Sequence, residues 1–257
     1  MQLFSNLYNY RELLKSNVKK EIRGKYKGSF LGVLWSFINP LLQVLVYAIV
    51  FPYIMRVQTP NYLQFLIVGV IPWTFFVTVL NQGMITVRMN SAILKKVYFP
   101  REILPISVAL SGLVNFFIST IIILIFCIIG GVGVSWHLVF LPLIAIIQFV
   151  FSLGIILALS AINIYIKDTE YIVIFFTNML FYATPILYPS SLIPEGLRWI
   201  INLNPMAGLI NIYRDIFINH TMSDPMTILY VAIVSLVLFF IGLLIFRKLE
   251  KGFAEEL

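Results

Sequence analysis

Six long apolar runs without acidic or basic residues alternate along this chain with short charged segments. Each run approaches or exceeds the roughly 20 residues that a helix needs to cross a bilayer core of about 30 Å. The pattern predicts an all-α integral membrane protein with one transmembrane domain over residues 1–257. The six predicted spans are Phe30 to Met55, Tyr62 to Val87, Leu104 to Ile129, His137 to Ile166, Tyr171 to Leu187 and Met226 to Phe246.

Composition and charge agree with this class and orient the chain. Hydrophobic residues make up 60% of the sequence and charged residues 11%, against about 25% charged in soluble domains. The net charge of +7 does not indicate nucleic acid, because 15 of the 18 basic residues fall on one side of the predicted spans. The positive-inside rule therefore predicts that both termini are cytoplasmic. A single cysteine allows no disulfide within the chain, and we expect no metal site.

The first charged segment, residues 1–27, has the pattern of an amphipathic helix lying on the membrane. Apolar residues recur at steps of three or four, and basic residues form a neighbouring stripe. Two interpretations remain open: an anchor to anionic lipid, or a face that docks a cytoplasmic partner. The apolar stripe is Leu3, Leu7, Tyr10, Leu14, Val18 and Ile22, and the basic stripe is Arg11, Lys15, Lys19 and Arg23.

The second charged segment, residues 88–103, predicts a short cytoplasmic helix. We expect Ser91 to cap this helix and Pro100 to end it. A loop that only sets topology needs neither an apolar face nor a proline after its helix. The segment is therefore suited to contact another protein. The alternative is an interfacial turn whose lysines reach the lipid headgroups.

The outer segment, residues 188–225, contains four prolines that divide it into two short helical pieces. Pro194 and Pro205 stand where a first-turn proline is tolerated. The apolar face after Pro205 predicts that this segment dips into the outer leaflet or caps a pathway. Arg214 and Asp215 either contact an exported anionic group or pair with neighbouring residues, and we expect the second.

Two spans carry mixed aromatic and uncharged polar faces. At about 100° per residue, these side chains fall within about a third of each helix circumference. Such a face suits a sugar chain, which offers apolar faces for stacking and hydroxyls for hydrogen bonds. The alternative is packing between helices. The candidate pathway residues are Trp35, Asn39, Gln43 and Tyr47 in the first span and Thr177, Asn178, Phe181 and Thr184 in the fifth.

The energy source must lie outside this chain. The sequence contains no G-x-x-x-x-G-K-[ST] phosphate-binding loop. Ion-coupled transporters place ionisable residues inside the bilayer, and the six runs contain no Asp, Glu, Lys or Arg. Sodium sites built from backbone carbonyls are compatible with this pattern. A separate ATPase subunit is the simpler expectation.

Four stretches resemble the polysaccharide-exporting type-2 ABC permeases, which export O-antigen chains or teichoic acids. They are residues 23–40 with Ser29, Leu31, Gly32 and Trp35; residues 94–105; Thr184 to Tyr188; and Leu203 to Met206 followed by Arg214. The resemblance implies a homodimer with two cytoplasmic ATPase subunits, which bind ATP and Mg²⁺. It also implies that the segment near Asn90 to Arg101 and the N-terminal helix meet the ATPases. The candidate coupling residues are Asn90, Ser91, Leu94, Lys95, Lys96, Phe99, Pro100 and Arg101.

We therefore expect a permease of the bacterial cytoplasmic membrane whose substrate is a lipid-linked polysaccharide. The expected mechanism is mechanical: closure of the ATPases pushes the coupling segment, and the first and fifth spans move to admit the glycan. Two alternatives remain open. One is export of a small drug or lipid, and the other is a non-transporting scaffold that binds membrane lipid or a signalling protein.

Overall fold

The computed structural model describes residues 2–24, 35–53 and 59–256, and within these ranges the regular secondary structure is entirely helical. Short 3₁₀ turns and one π-helical turn, Asp215–Asn219, join the α-helices. The α-helices are α1 Gln2–Asn9, α2 Arg11–Gly24, α3 Trp35–Tyr53, α4 Tyr62–Met89, α5 Ser91–Leu94, α6 Ile103–Ile129, α7 Leu141–Tyr165, α8 Thr169–Ala183, α9 Arg198–Asn202, α10 Pro205–Arg214, α11 Pro225–Leu249 and α12 Phe253–Glu256.

Four of the described helices are long and apolar enough to cross a membrane. They are α4, α6, α7 with the 3₁₀ turn before it, and α11 with the turn after it. Two further apolar helices are shorter: the stretch Ile38–Tyr53 of α3, and α8. Residues 30–34, 54 and 55 of the predicted first span lie outside the described residues. The second, third and sixth predicted spans coincide closely with α4, α6 and α11.

Three predicted boundaries are wrong. The fifth span ends at Ala183 rather than Leu187, because Pro185 has no backbone N–H and its ring obstructs a continuing helix. The fourth begins with a 3₁₀ turn, Trp136–Phe140, so that α7 starts only at Leu141. The N-terminal segment forms α1 and α2 with a break at Tyr10, rather than one continuous helix.

Helix α4 forms the centre of the bundle, and α7 packs closely against α11. A Cβ atom on Gly242 would lie 1.9 Å from the carbonyl oxygen of Gly154, so the two helices approach to backbone contact at this pair of glycines. Gln148 of α7 donates to the Pro72 carbonyl of α4 at 2.8 Å and accepts from the Tyr213 hydroxyl at 2.9 Å. This buried hydrogen-bonded network ties α4, α7 and α10 together.

Helix α10 enters the bundle. Pro205 is its first residue, as predicted, and the Asn204 side chain caps it by accepting from the Met206 N–H at 3.0 Å. Most of its ten residues are buried, including Tyr213, whose ring packs 5.5 Å from that of Phe116. The outer segment therefore contributes to the core.

Candidate functional site

The predicted coupling segment folds as a single helical turn, α5. Asn90 precedes this turn, and Ser91 is its first residue, so the predicted cap at Ser91 is wrong. The Asn90 amide instead donates to the Thr86 carbonyl of α4 at 2.8 Å. The turn ends before Lys95 rather than at Pro100. Backbone bonds from Lys96 and Val97 to the Ile93 carbonyl tighten its exit.

An apolar cluster holds this segment against the N-terminal helices. Phe99, with 5% of its surface exposed, packs with Ile103 and Leu104 of α6. Partly buried side chains of α1, α2 and α5 surround this cluster, which we call the coupling core. They are Leu7, Tyr10, Leu13, Leu14 and Leu94. Part of the apolar stripe predicted for the N-terminal segment is therefore covered by the chain itself.

Polar contacts join three parts of the sequence around the coupling core. Lys20 of α2 donates to the Asn90 side-chain oxygen at 3.2 Å, and Asn6 of α1 donates to Glu102 at 3.0 Å. Arg101 donates to the backbone carbonyl of Glu250 at 2.5 Å and stacks over a ring of the C-terminal tail, that of Phe253. Arg101 is thus engaged within the protein.

The exposed part of the segment is smaller than predicted. Among the candidate coupling residues, only Lys95 and Lys96 are exposed, whereas Asn90, Ser91, Leu94, Pro100 and Arg101 are partly buried and Phe99 is buried. Within residues 90–101, three large hydrophobic residues outside the predicted set are exposed: Ile93 by 47%, Val97 by 57% and Tyr98 by 92%. These five exposed residues, Ile93, Lys95, Lys96, Val97 and Tyr98, form what we call the docking patch.

An ion pair links the end of α4 to the start of α8. Arg88, two residues before Asn90, donates to Glu170 in the first turn of α8. The side chains are 30% and 27% exposed. Asn163 of α7 donates to the same carboxylate oxygen at 3.3 Å. The coupling segment is therefore connected by charge to the fifth predicted span.

The candidate pathway residues separate into two groups. In the first, Tyr47 packs against Phe181 with ring centroids 5.9 Å apart and accepts from Gln43 at 2.9 Å. Thr177 and Thr184 are buried, and their hydroxyls donate to carbonyls of α8. Thr184 also accepts from Asn204 at 2.9 Å. Of the four residues predicted in the fifth span, only Asn178 is exposed.

The second group lines a cleft of about 290 Å³ between α3, α4 and α6, which we call the polar cleft. Trp35 and Asn39 of α3 face Thr78 and Gln82 of α4 across it, and α6 supplies Asn115. The sequence indicated the α3 side of this cleft through the polar stripe. It did not indicate that α4 and α6, rather than α8, form the opposite wall.

Helix α8 has an exposed aromatic face. Tyr171, Phe175 and Tyr182 are 76%, 60% and 65% exposed and lie on one stripe with the exposed Asn178. Within the part of the chain that the structure describes, the Asn178 side chain has no hydrogen-bond partner. An amide directed into lipid hydrocarbon is costly, which favours another protein surface or water against this stripe.

Arg214 fastens the broken end of α8. Its guanidinium is buried and donates to the carbonyls of Pro185 and Ile186 at 2.7 and 2.9 Å. It also lies 3.5 Å from the centroid of the Phe65 ring. The predicted pairing of Arg214 with neighbouring residues is confirmed. The buried cation therefore holds Pro185 and Ile186, which follow the end of α8, against α4 and α10.

Comparison with known proteins places this architecture in a family. Residues 12–218 match the family described as ABC-2 type transporter. The chain belongs to the ABC-2 type transporter family. A relative from Myxococcus xanthus named O-antigen export system permease protein RfbA is 38% identical over 100% of this chain and 100% of its own. A protein of the same name from Klebsiella pneumoniae is 39% identical over 98% of this chain and 97% of its own. Polysialic acid transport protein KpsM from Escherichia coli is 24% identical over 91% of this chain and 92% of its own.

As an ABC-2 permease, the chain is a transporter subunit, and ATP hydrolysis belongs to a separate ATPase. In the described ranges, no cluster of three or more His, Cys, Asp or Glu side chains is placed to hold a metal ion.

Sequence reasoning missed Glu170 and the exposed residue Tyr98. The position of Glu170 next to the fifth apolar run, in a chain with few acidic residues, was the available signal.

Proposed function

We propose that this ABC-2 permease is the membrane-spanning subunit of an ATP-driven exporter that moves a lipid-linked polysaccharide across the inner membrane. The observation that carries the proposal is full-length similarity to permeases named for O-antigen export, supported by the more distant polysialic acid transport protein. The polar cleft and the aromatic stripe of α8 add groups that suit a sugar chain.

We propose further that α3 and α8 complete a set of six spans and that both termini are cytoplasmic. The short length of α8 is compatible with this because residues 184–187 after it and most of α10 are buried in the bundle. The basic residues around the coupling core support the same orientation. In this arrangement residues 1–27 lie at the membrane interface, residues 88–103 couple to the ATPases, and residues 188–225 face outward.

The stripe of Tyr171, Phe175, Asn178 and Tyr182 is the proposed meeting face of two permease copies. An aromatic stripe with an exposed amide differs from the exposed face of α6, which is made of Val and Ile side chains and suits lipid. Two copies facing each other through α8 enclose a central space, and Gln43, Tyr47 and Asn178 are the proposed pathway residues that border it. Phe181, Thr177 and Thr184 lie on the buried side of α8 and support it by packing and hydrogen bonds.

Force from two ATPase subunits enters at the docking patch in this proposal. Lys95 and Lys96 attract acidic groups, and the apolar neighbours, including Tyr98, supply contact area. A displacement of α5 then reaches α8 through the Arg88–Glu170 ion pair, while the coupling core carries α1 and α2 along. The first and fifth spans separate or shift, and the glycan passes between them.

Deletion and complementation test the substrate. Cells that lack this permease should retain lipid-linked glycan on the cytoplasmic side, and the plasmid-borne permease should restore surface glycan. Restored resistance to a small toxic compound without any change in surface glycan would support export of a drug instead. The deletion should also be made in a strain that lacks its other polysaccharide permeases. Normal surface glycan in that strain would reject the polysaccharide proposal.

Co-purification tests the docking patch. Replacing Lys95 and Lys96 together by Glu should release the ATPase from the tagged permease, because both side chains project from the protein. The matched control replaces Lys248, in the last turn of α11, and Lys251, in the turn that follows, together by Glu. Orientation must be verified by protease accessibility, since all four charges also help to set topology. Retention of the ATPase by the correctly oriented Glu variant would contradict the docking role.

A further inference from the structure

The polar cleft contains hydrogen-bonding groups that the fold itself does not use. Its polar lining comes from three helices: Asn39 of α3, Thr74, Thr78 and Gln82 of α4, and Asn115 and Ser119 of α6. Buried polar groups in a membrane protein normally find partners within the bundle, as Gln148 does with Pro72 and Tyr213. Five of the six lining residues are partly buried and Asn39 is exposed, and a space lined by so many polar groups suits a ligand or water.

Gln82 is the strongest sign of a ligand. Its side-chain Oε1 atom is buried and has no hydrogen-bond partner among the described residues. Across the cleft, Ser119 donates its proton to the carbonyl of Asn115 at 2.9 Å, which leaves the hydroxyl oxygen free to accept. The lining thus offers both donors and acceptors, as a hydroxyl-bearing ligand requires, since each hydroxyl donates one proton and accepts through two lone pairs.

The charge of the lining narrows the ligand class. None of the described residues that form the cleft wall is acidic or basic. A phosphate or carboxylate inside the cleft would lose its hydration without gaining an opposite charge, and the cost of such transfer is high. An uncharged polar molecule meets no such penalty. The cleft is therefore selective against the charged headgroups of ordinary membrane lipids.

Aromatic rings and size point to a single sugar ring. Trp35, which is 42% exposed, provides a flat apolar surface beside the amides and hydroxyls, whereas Phe75 and Phe116 of the lining are buried and stack on each other. An exposed ring of this kind stacks on the apolar face of a sugar. The volume of about 290 Å³ lies near the lower end of the roughly 300–1,000 Å³ of small-molecule sites. That space suits one ring rather than a chain of them.

We infer that the polar cleft is a binding site for one neutral sugar ring of the lipid-linked glycan, separate from the space bordered by α8. The inference rests on the proposed export of polysaccharide. On this view a sugar ring near the lipid end occupies the cleft, whose walls on α4 and α6 lie near the middle of those helices. Rotation of the Gln82 side chain, whose Oε1 atom is buried, then brings this oxygen to a sugar hydroxyl.

Protection of an introduced thiol tests this site. The native thiol is first removed by Cys127→Ser, and Thr78→Cys then places a thiol in the cleft. In nanodiscs containing the permease with its ATPase, the rate of alkylation by N-ethylmaleimide is measured with dodecyl maltoside or dodecylphosphocholine, each below its micelle concentration. These amphiphiles share a tail, but one has an uncharged sugar head and the other a zwitterionic head that carries a phosphate and an ammonium group. Ile118→Cys, outside the cleft on α6, is the matched control.

We expect dodecyl maltoside to slow alkylation of the Thr78→Cys variant at least fivefold and dodecylphosphocholine to leave it unchanged. Adding Gln82→Leu should weaken the protection about fivefold, the effect of one net hydrogen bond, whereas Thr120→Val, a buried hydroxyl outside the cleft, should not. Equal protection by both amphiphiles, or none by the maltoside, would overturn the inference. Export of glycan by the wild-type permease is measured separately, so that loss of the site and loss of the proposed function are distinguished.

Discussion

Removing the negative charge of Glu170 should disconnect ATP hydrolysis from glycan movement. Glu170→Gln keeps the size of the side chain and its hydrogen bond with Asn163, but it removes the ion pair with Arg88. The perturbation therefore acts on the proposed connection between the coupling segment and α8 with little change in packing. Its reciprocal, Arg88→Met, removes the other partner.

The magnitude follows from the partial burial of the pair. Two unit charges about 4 Å apart attract by about 4 kcal/mol at an effective dielectric constant of about 20. Desolvation offsets much of this attraction, and the side chains are 30% and 27% exposed, so solvent screens the pair as well. A net interaction of about 1–2 kcal/mol remains. If it acts in the step that moves α8, Glu170→Gln should slow export about 5- to 30-fold.

The assay compares three quantities in proteoliposomes: glycan export, ATP hydrolysis and thermal stability of the permease–ATPase complex. Export should fall, while complex assembly and basal hydrolysis persist. A double-mutant cycle with Arg88→Met isolates the pair, and its coupling energy should reach about 1 kcal/mol or more. The exposed pair between Glu195 and Arg198, at 3.6 Å, provides a control whose disruption should change export by less than about twofold.

Two outcomes would refute the reasoning. Additive effects of the two substitutions, within about 0.5 kcal/mol, would show that the pair carries no coupling. A fall in export that matches a fall in folded complex would assign the pair to stability alone. The exchanged pair, Arg88→Glu with Glu170→Arg, adds a further check, because it keeps the number of charges and should recover part of the export.

Three further substitutions address the fold around these sites. Arg214→Met should lower the free energy of unfolding by about 2–5 kcal/mol, because two buried carbonyls lose their donor, and an unchanged melting temperature would contradict this. Gly242→Ala should lower the free energy of unfolding by at least about 2 kcal/mol, since the new Cβ would collide with a carbonyl oxygen. Gly196→Ala, with open space around it, should change this free energy by less than about 0.5 kcal/mol in the same thermal unfolding assay. Phe99→Ala should lower the free energy of unfolding by about 3 kcal/mol and increase hydrogen exchange in α1. Tyr98→Ala should leave exchange in α1 unchanged. Equal exchange in both variants would show that the coupling core does not hold α1 in place.

Hydropathy located most of the long helices well, because a helix that crosses a membrane must be apolar along nearly its whole length. The ends of α4 and α6 differ from the predicted spans by one or two residues. Boundaries failed where backbone chemistry overrides hydropathy. Residues 184–187 are as apolar as a span, yet Pro185 ends the helix before them, and Arg214 donates to the carbonyls of Pro185 and Ile186.

The coupling segment illustrates the same limit at the level of side chains. Spacing identified a short amphipathic helix near residues 91–99, and a short helix is present. Spacing does not reveal which neighbours cover its apolar side. Phe99 turns inward because α1 and α2 supply Leu7 and Leu14 there, and Tyr98 turns outward.

The sequence alone determined the class of this protein, the positions of most of its long helices and the dependence on a separate energy source. These properties depend on composition and order along the chain, since crossing a bilayer and binding nucleotide both require local patterns. Only the tertiary structure decided which distant groups meet. It joined Arg88 to Glu170 and divided the polar stripe of α3 between the polar cleft and the ring of Phe181. Contacts between helices depend on packing angles and close approaches such as that of Gly154 and Gly242, which a one-dimensional pattern does not contain.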